Sequence, residues 1–450
     1  MKYAVFAAAA LAGVPFAYWA ASRSRAVERL VFFLAVFFTC EMVDINFVSR
    51  ETYRITTRGF EIGFVDLTVL VLFLLLRSRR DPLRPAGAPP GSMLFLAYTL
   101  SCALSIVNAP MPLFSLFEVS KMARMLFYLW VMYEYLDSYD KICSLLSTIG
   151  AIAAYVLFTI VRQKYLQGMF QARGPFPHQN SLVMYMTIYG AIVLSYLLNA
   201  PRGRLLWWLC VFGMAAMAVI STLSRMGLVC FAVACAVVVM VSFAGGLSSR
   251  KIVVFSIVAL IALAGLAKAY DSVVERFSTA PKESAEVRVL LARAACRMAN
   301  DKLLGVGLNN FGIAINPPFP YGDHIEHSQA DEDADVKNGL VETVYLMVAA
   351  ECGWHTLALF LTMLVVMYWR NARNVRTMRN TPLAFVPIGL AGGMAGILLQ
   401  SAFEWVLRQT CNFYQLMLVF AIVGALYKRP GLFAQAAPLP EENPAVPGSR

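Results

Sequence analysis

Charge is scarce in this chain of 450 residues: Asp, Glu, Lys and Arg together make up only 14% of it. Soluble domains carry roughly a quarter, so the composition excludes a water-soluble fold and, with it, a division into several soluble domains. Paired cysteines are also missing. Nine cysteines occur, most inside apolar runs (Cys102, Cys210, Cys230, Cys235, Cys411), and no CxxC motif is present. They read as small buried apolar residues and not as a disulfide or zinc framework. No repeat of fixed period appears. The first twenty or so residues lack a clear small-residue cleavage site, so they read as a retained first helix, not a signal peptide.

What is present is apolar: 59% of the chain is hydrophobic and the mean hydropathy is +0.63. The net charge of +11 would suit a nucleic-acid partner, but the basic residues stand in short clusters between apolar spans. That placement belongs to the cytoplasmic ends of membrane helices. The expected partner is therefore the lipid bilayer, with no nucleic acid.

A membrane-crossing helix needs about 20 mostly apolar residues, and by that rule about 12–13 stretches qualify. They lie near 3–20, 30–48, 62–77, 92–108, 121–136, 142–161, 179–199, 205–223, 226–245, 252–269, 341–368, 383–403 and 411–427. The expected fold class is an all-α polytopic membrane protein with one large extracytoplasmic loop containing short helices. Its regions would be N-terminal membrane helices (1–160), membrane helices bearing outer-face arginines (161–269), the large loop (270–340), C-terminal membrane helices (341–430) and a proline-bearing disordered tail (431–450). Within the loop, residues 284–300 repeat apolar residues at helical spacing and set Arg288, Arg293 and Arg297 on other faces.

Lys/Arg-rich loops set the orientation. Taking Arg77, Arg79, Arg80 and Arg84 as cytoplasmic puts Arg23/Arg25/Arg29, Arg202/Arg204, Arg250/Lys251, Arg370/Arg373/Arg376/Arg379 and Lys428/Arg429 on the same side. Arg50, Arg54 and Arg58 fall outside against the rule. Segments 162–178, 224–225, 270–340 and 404–410 then share the extracytoplasmic face.

Six constellations on that face could carry chemistry. Arg173 and His178 sit in a Gly/Pro-bent turn, where the bland reading of Arg173 is an interfacial anchor. Arg225 interrupts two charge-free spans, a costly place for a cation that implies an anionic partner. Arg288 has the planar fork that suits phosphate oxygens, set against a solvated basic face. Gly305 and Gly307 form a weak GxG element. His324 and His327, followed by Asp331, Glu332, Asp333 and Asp335, match no metal motif and read first as a solvated acidic loop, although a histidine there has the pKa of a general base. Glu342 enters an apolar span as a candidate acid/base, and Glu351, deeper in it, reads as a structural hydrogen-bonder.

Together, Arg173-Gly-x-Phe-x-x-Gln-Asn180, Thr222-x-Ser-Arg225, Gly305-x-Gly-x-x-Asn-Phe311 and Glu351-x-Gly353 resemble the O-antigen ligase and polymerase superfamily of bacterial surface-polysaccharide synthesis. The likeness runs over about residues 160–370. It implies a glycosyltransferase that moves glycan from an undecaprenyl-diphosphate-linked oligosaccharide to a sugar hydroxyl of an acceptor glycan, at the outer face of the bacterial inner membrane. Other polysaccharide assembly proteins would be its neighbours. By position, Arg225 and Arg288 fit the family's diphosphate-gripping arginines, with Arg173 near them. No metal and no cofactor is expected, because arginines can stabilise a diphosphate leaving group by charge. The family's base, a His-Asn pair, falls on Glu342-Thr343. The base is then Glu342, His324 or His327, and the departure leans toward an exopolysaccharide polymerase over a lipid A–core ligase. The competing reading is a transporter of an anion or lipid-linked glycan, which would hold its ionisable residues near the bilayer midplane, often within repeats.

Overall fold

The computed structural model describes residues 2–50, 56–79, 87–200, 205–278, 282–325 and 339–434. About 76% of the described residues are helical, and their only sheet is a two-stranded hairpin. It is an all-α polytopic membrane protein. In order, the helices are α1 (Lys2–Arg23), α2 (Arg25–Phe37), α3 (Phe64–Ser78), α4 (Ser92–Asn108), α5 (Pro112–Tyr135), α6 (Tyr139–Leu166), α7 (Gln179–Asn199), α8 (Leu205–Ser221), α9 (Arg225–Ala244), α10 (Ser249–Ser278), α11 (Lys282–Asp301), α12 (Val344–Cys352), α13 (Trp354–Thr377), α14 (Phe385–Gln400) and α15 (Thr410–Lys428). A helix lies at each of the stretches expected to be apolar spans. By length and composition, α1, α6, α7, α9 and α15 are able to cross a membrane, and α4, α8 and α14 are shorter apolar helices. The loop helix expected over 284–300 is α11. The tail expected to be disordered from 431 begins instead with a short helix, Pro430–Ala434, in which Phe433 is buried against the bundle; residues from 435 onward lie outside the described residues.

Two expectations need correction. The second span, read as 30–48, ends at Phe37, and Asp44–Ser49 pairs antiparallel with Gly59–Gly63. Its alternation of Asp44 and Asn46 with Ile45 and Phe47 is a strand pattern, which an apolar count over a long window smooths away. The eleventh span, read as 341–368, is broken at Gly353 (φ 87°) into the nine-residue α12 and the long α13. A Cβ there would lie 2.0 Å from the Leu303 carbonyl oxygen, so a side chain is excluded on sterics as well as on φ.

The bundle is built around α7 and α15, which are buried on nearly every face, whereas α1 is mostly uncovered. α14 packs on α7 and α9 through a stripe of glycines. A Cβ at Gly389 would fall 2.5 Å from Ile192 Cα, and one at Gly392 2.5 Å from the Ala234 carbonyl oxygen. Small residues of this kind let backbones approach where lipid offers no hydrophobic drive between helices.

The charges deepest in the bundle are paired. Asp66 caps α3 by accepting from Gly63 N (2.7 Å), binds Arg124 (2.9 Å) and accepts from the Tyr414 hydroxyl (2.6 Å). Deeper, Glu118 binds Lys121 (2.8 Å) and Arg408 (3.2 Å), and Arg408 also binds Glu351. Glu351 accepts from Phe311 N (3.2 Å), the structural role expected for it. The Gly305–Phe311 turn is sealed against this network. Asn309 (φ 59°) donates to the Thr57 and Phe114 carbonyls, and Asn310 donates to Ser115. A Cβ on Gly305 would sit 2.4 Å from the Glu351 carbonyl carbon. The GxG element is thus a close-packed turn with no room for a phosphate.

Candidate functional site

The turn before α7 is knitted by one side chain. Gln163 Oε1 accepts from Arg173 N (3.0 Å) and Gly174 N (2.9 Å), and its Nε2 donates to the Gly174 carbonyl (2.7 Å). Gly174 has the left-handed φ (57°) that this turn requires. His178 then caps α7, its Nδ1 accepting from Asn180 N (3.2 Å). An accepting Nδ1 assigns the ring proton to Nε2. Burial, with Arg173 and Arg288 nearby, holds the His178 pKa below its usual value.

The α8–α9 hairpin turns on Leu223 (φ 51°). Thr222 Oγ1 accepts from Ser224 N (3.2 Å), and Ser224 caps α9 by accepting from Gly227 N (3.2 Å). Thr-x-Ser-Arg is therefore a capping device that fixes Arg225 at the first turn of α9. The Ala172 N–Ser221 O bond (3.3 Å) ties this hairpin to the turn before α7.

On α11, Leu291, Ala294, Ala295 and Met298 face inward against Val341, Met347 and Ala350. Arg288 stands three residues before Leu291, at the outer end of that buried stripe, and like Arg293 and Arg297 it is exposed. Arg288 binds Glu342, which lies just before α12. Burial raises the Glu342 pKa and Arg288 works against the rise.

These pieces converge on a cleft of about 420 Å³ lined by His178, Asn180, Arg225, Arg288, Glu342, Glu404 and Trp405, among others. Of the residues anticipated, Arg225, Arg288 and Glu342 are brought together here. Arg173 does not line the cleft; its guanidinium donates to the Pro177 carbonyl (3.3 Å), close enough to His178 to influence its titration. His324 is elsewhere. Its Nε2 donates to the Leu290 carbonyl (3.2 Å) and its Nδ1 faces Arg297 (3.4 Å). His327 lies outside the described residues, as does the acidic run from Asp331 to Asp335.

One titratable cleft residue was not anticipated. Glu404, in the connection between α14 and α15, is 5% exposed. Burial, and then the Glu342 carboxylate, push its pKa up to about 7, against a hydrogen bond from Asn180 and the Arg288 charge. A glutamate in a loop only nine residues long, 401–409, gives little signal in sequence.

Residues 209–361 match the family model described as O-Antigen ligase, a stretch that includes Arg225, Arg288 and Glu342. No curated protein matches the chain.

Proposed function

This chain is a member of the O-antigen ligase/polymerase superfamily, and we propose that it transfers glycan from an undecaprenyl-diphosphate carrier to a sugar hydroxyl at the outer face of the inner membrane. The observation that carries this reading is the meeting of Arg225 and Arg288, from two separate segments, in one cleft with acidic neighbours. Two guanidinium groups can grip a diphosphate through charge-assisted, bidentate hydrogen bonds. The acceptor oxygen then attacks the donor's anomeric carbon, its proton passes to a carboxylate, and the bond from that carbon to the phosphate oxygen breaks. The electron pair leaves with the diphosphate, whose growing charge the arginines stabilise in place. Glu342-Thr343, standing where the family carries His-Asn, supports a polymerase over a ligase. The mutual pairing of the bundle's buried charges (Glu118, Lys121, Arg408, Glu351) favours transfer over transport, since a translocation path needs ionisable groups open to cargo.

Arg225→Ala and Arg288→Ala should each abolish polymer while protein level and lipid-linked precursor persist. Normal polymer in both variants would refute the reading.

A further inference from the structure

We propose that Glu404 is the base that takes the proton of the acceptor hydroxyl. This rests on the glycosyl-transfer reading above and deepens it.

The cleft holds two carboxylates in unlike surroundings. Glu342 is partly exposed and already bound to Arg288, so its charge is spoken for. Glu404 is buried, has no ion-pair partner among the described residues, and lines the cleft together with Asn180. Asn180, which closes the Arg173–Asn180 motif, stands in the same cleft lining.

The loop that carries Glu404 is held from several directions. The Ser401 carbonyl accepts from Val344 N (3.0 Å) and from Thr343 Oγ1 (3.2 Å). Gln400 donates to the Asn180 carbonyl (2.8 Å), and Gln409 accepts from Ser181. Arg408 is anchored in the ionic network. A side chain on so constrained a loop is preorganised, as a proton acceptor must be.

The titratable and charged groups around Glu404 in the cleft are Glu342, Arg288, Arg225 and His178. With its pKa lifted to about 7 by burial and Glu342, Glu404 is ionised enough to accept a proton and basic enough to hold it. During the step the acceptor O–H proton moves to the Glu404 carboxylate as the new carbon–oxygen bond forms and the diphosphate departs. The proton then passes to water.

The test uses the full chain in membranes of its host, which supply the lipid-linked donor, and the purified protein with undecaprenyl diphosphate as a sugar-free probe. Glu404→Gln should slow polymer formation by roughly a hundredfold or more above about pH 7, the gap narrowing toward about pH 5.5 as the parent's Glu404 takes up its proton, with probe affinity within about threefold of the parent. Glu342→Gln should keep a measurable rate and shift the acid limb of the pH–rate profile to lower pH, because it removes a charge that raises the Glu404 pKa. A merely structural glutamate would not move that limb. Polymer formation by Glu404→Gln near the parental rate would overturn the proposal, as would an unshifted limb or complete inactivity in Glu342→Gln. If Arg225→Ala and Arg288→Ala bind the probe and polymerise normally, the glycosyl-transfer reading itself fails. If only the Glu404 results fail while the arginine variants lose probe binding, that reading stands and the base lies elsewhere.

Discussion

Replacing Arg408 by methionine removes the cation that lies between Glu118 and Glu351, and the consequences for the two carboxylates differ. Glu118 keeps Lys121 at 2.8 Å and the Thr56 hydroxyl at 3.0 Å. Glu351 keeps only the Phe311 amide at 3.2 Å. The side chains of Glu351 and Arg408 are 1% and 6% exposed, so water cannot take over. An exposed ion pair would be worth about 0–1 kcal/mol, whereas stranding one member of a buried pair costs about 3–5 kcal/mol. Arg408→Met should therefore destabilise the protein by about 3–5 kcal/mol, read by SDS-titrated unfolding in mixed micelles. Adding Glu351→Gln removes the stranded charge and should restore most of the loss. A single variant costing under about 1 kcal/mol, or a double variant no more stable than the single, would refute the argument that Glu351 depends on Arg408.

Three further outcomes are expected. Glu342→Gln frees Arg288 from a pair whose side chains are 35% and 42% exposed; at about 0.2–1 kcal/mol for such a pair, undecaprenyl diphosphate should bind roughly 1.4- to 5-fold tighter, and weaker binding in a titration would contradict it. Gly305→Ala forces a Cβ at φ 69° to within 2.4 Å of main-chain carbon, so little monodisperse protein should be recovered by size-exclusion chromatography; a parental yield would show that the turn can yield. Glu404 has a folded-state pKa of about 7 against about 4.3 unfolded, so the folded state holds its proton more tightly and the parent loses stability as pH rises through that window. Glu404→Gln escapes this loss. It should melt above the parent beyond pH 7 and alongside it below about pH 4.5, and equal melting at both pH values would count against the raised pKa.

The helices were legible because lipid demands long apolar runs, and each such run became a helix. Boundaries were harder. Residues 38–48 are apolar enough to prolong a span, yet Asp44 and Asn46 alternate with Ile45 and Phe47, and pairing with Gly59–Gly63 wins locally. Gly353 was visible within its motif, but a hydropathy count has no term for backbone conformation. Arg225 and Glu342 could be singled out because each is a charge at or within an apolar run, and Arg288 because its planar fork and its position in the family resemblance pointed to it. Glu404 could not, since a carboxylate between two spans looks ordinary until α7 and α14 enclose it. Glu118 and Lys121 were hidden for a related reason: a short polar stretch near the start of a long helix reads as its wet end, and only the fold buries it.

The sealed turn around Asn309 and Asn310 carries a further consequence. Its locks, Thr57, Phe114 and Ser115, all come from the N-terminal portion, well before the stretch 209–361 that matches the family model. That stretch is therefore not an exchangeable cassette. A chimera that replaces it is expected to keep this turn only if the graft supplies side chains that bond Thr57, Phe114 and Ser115.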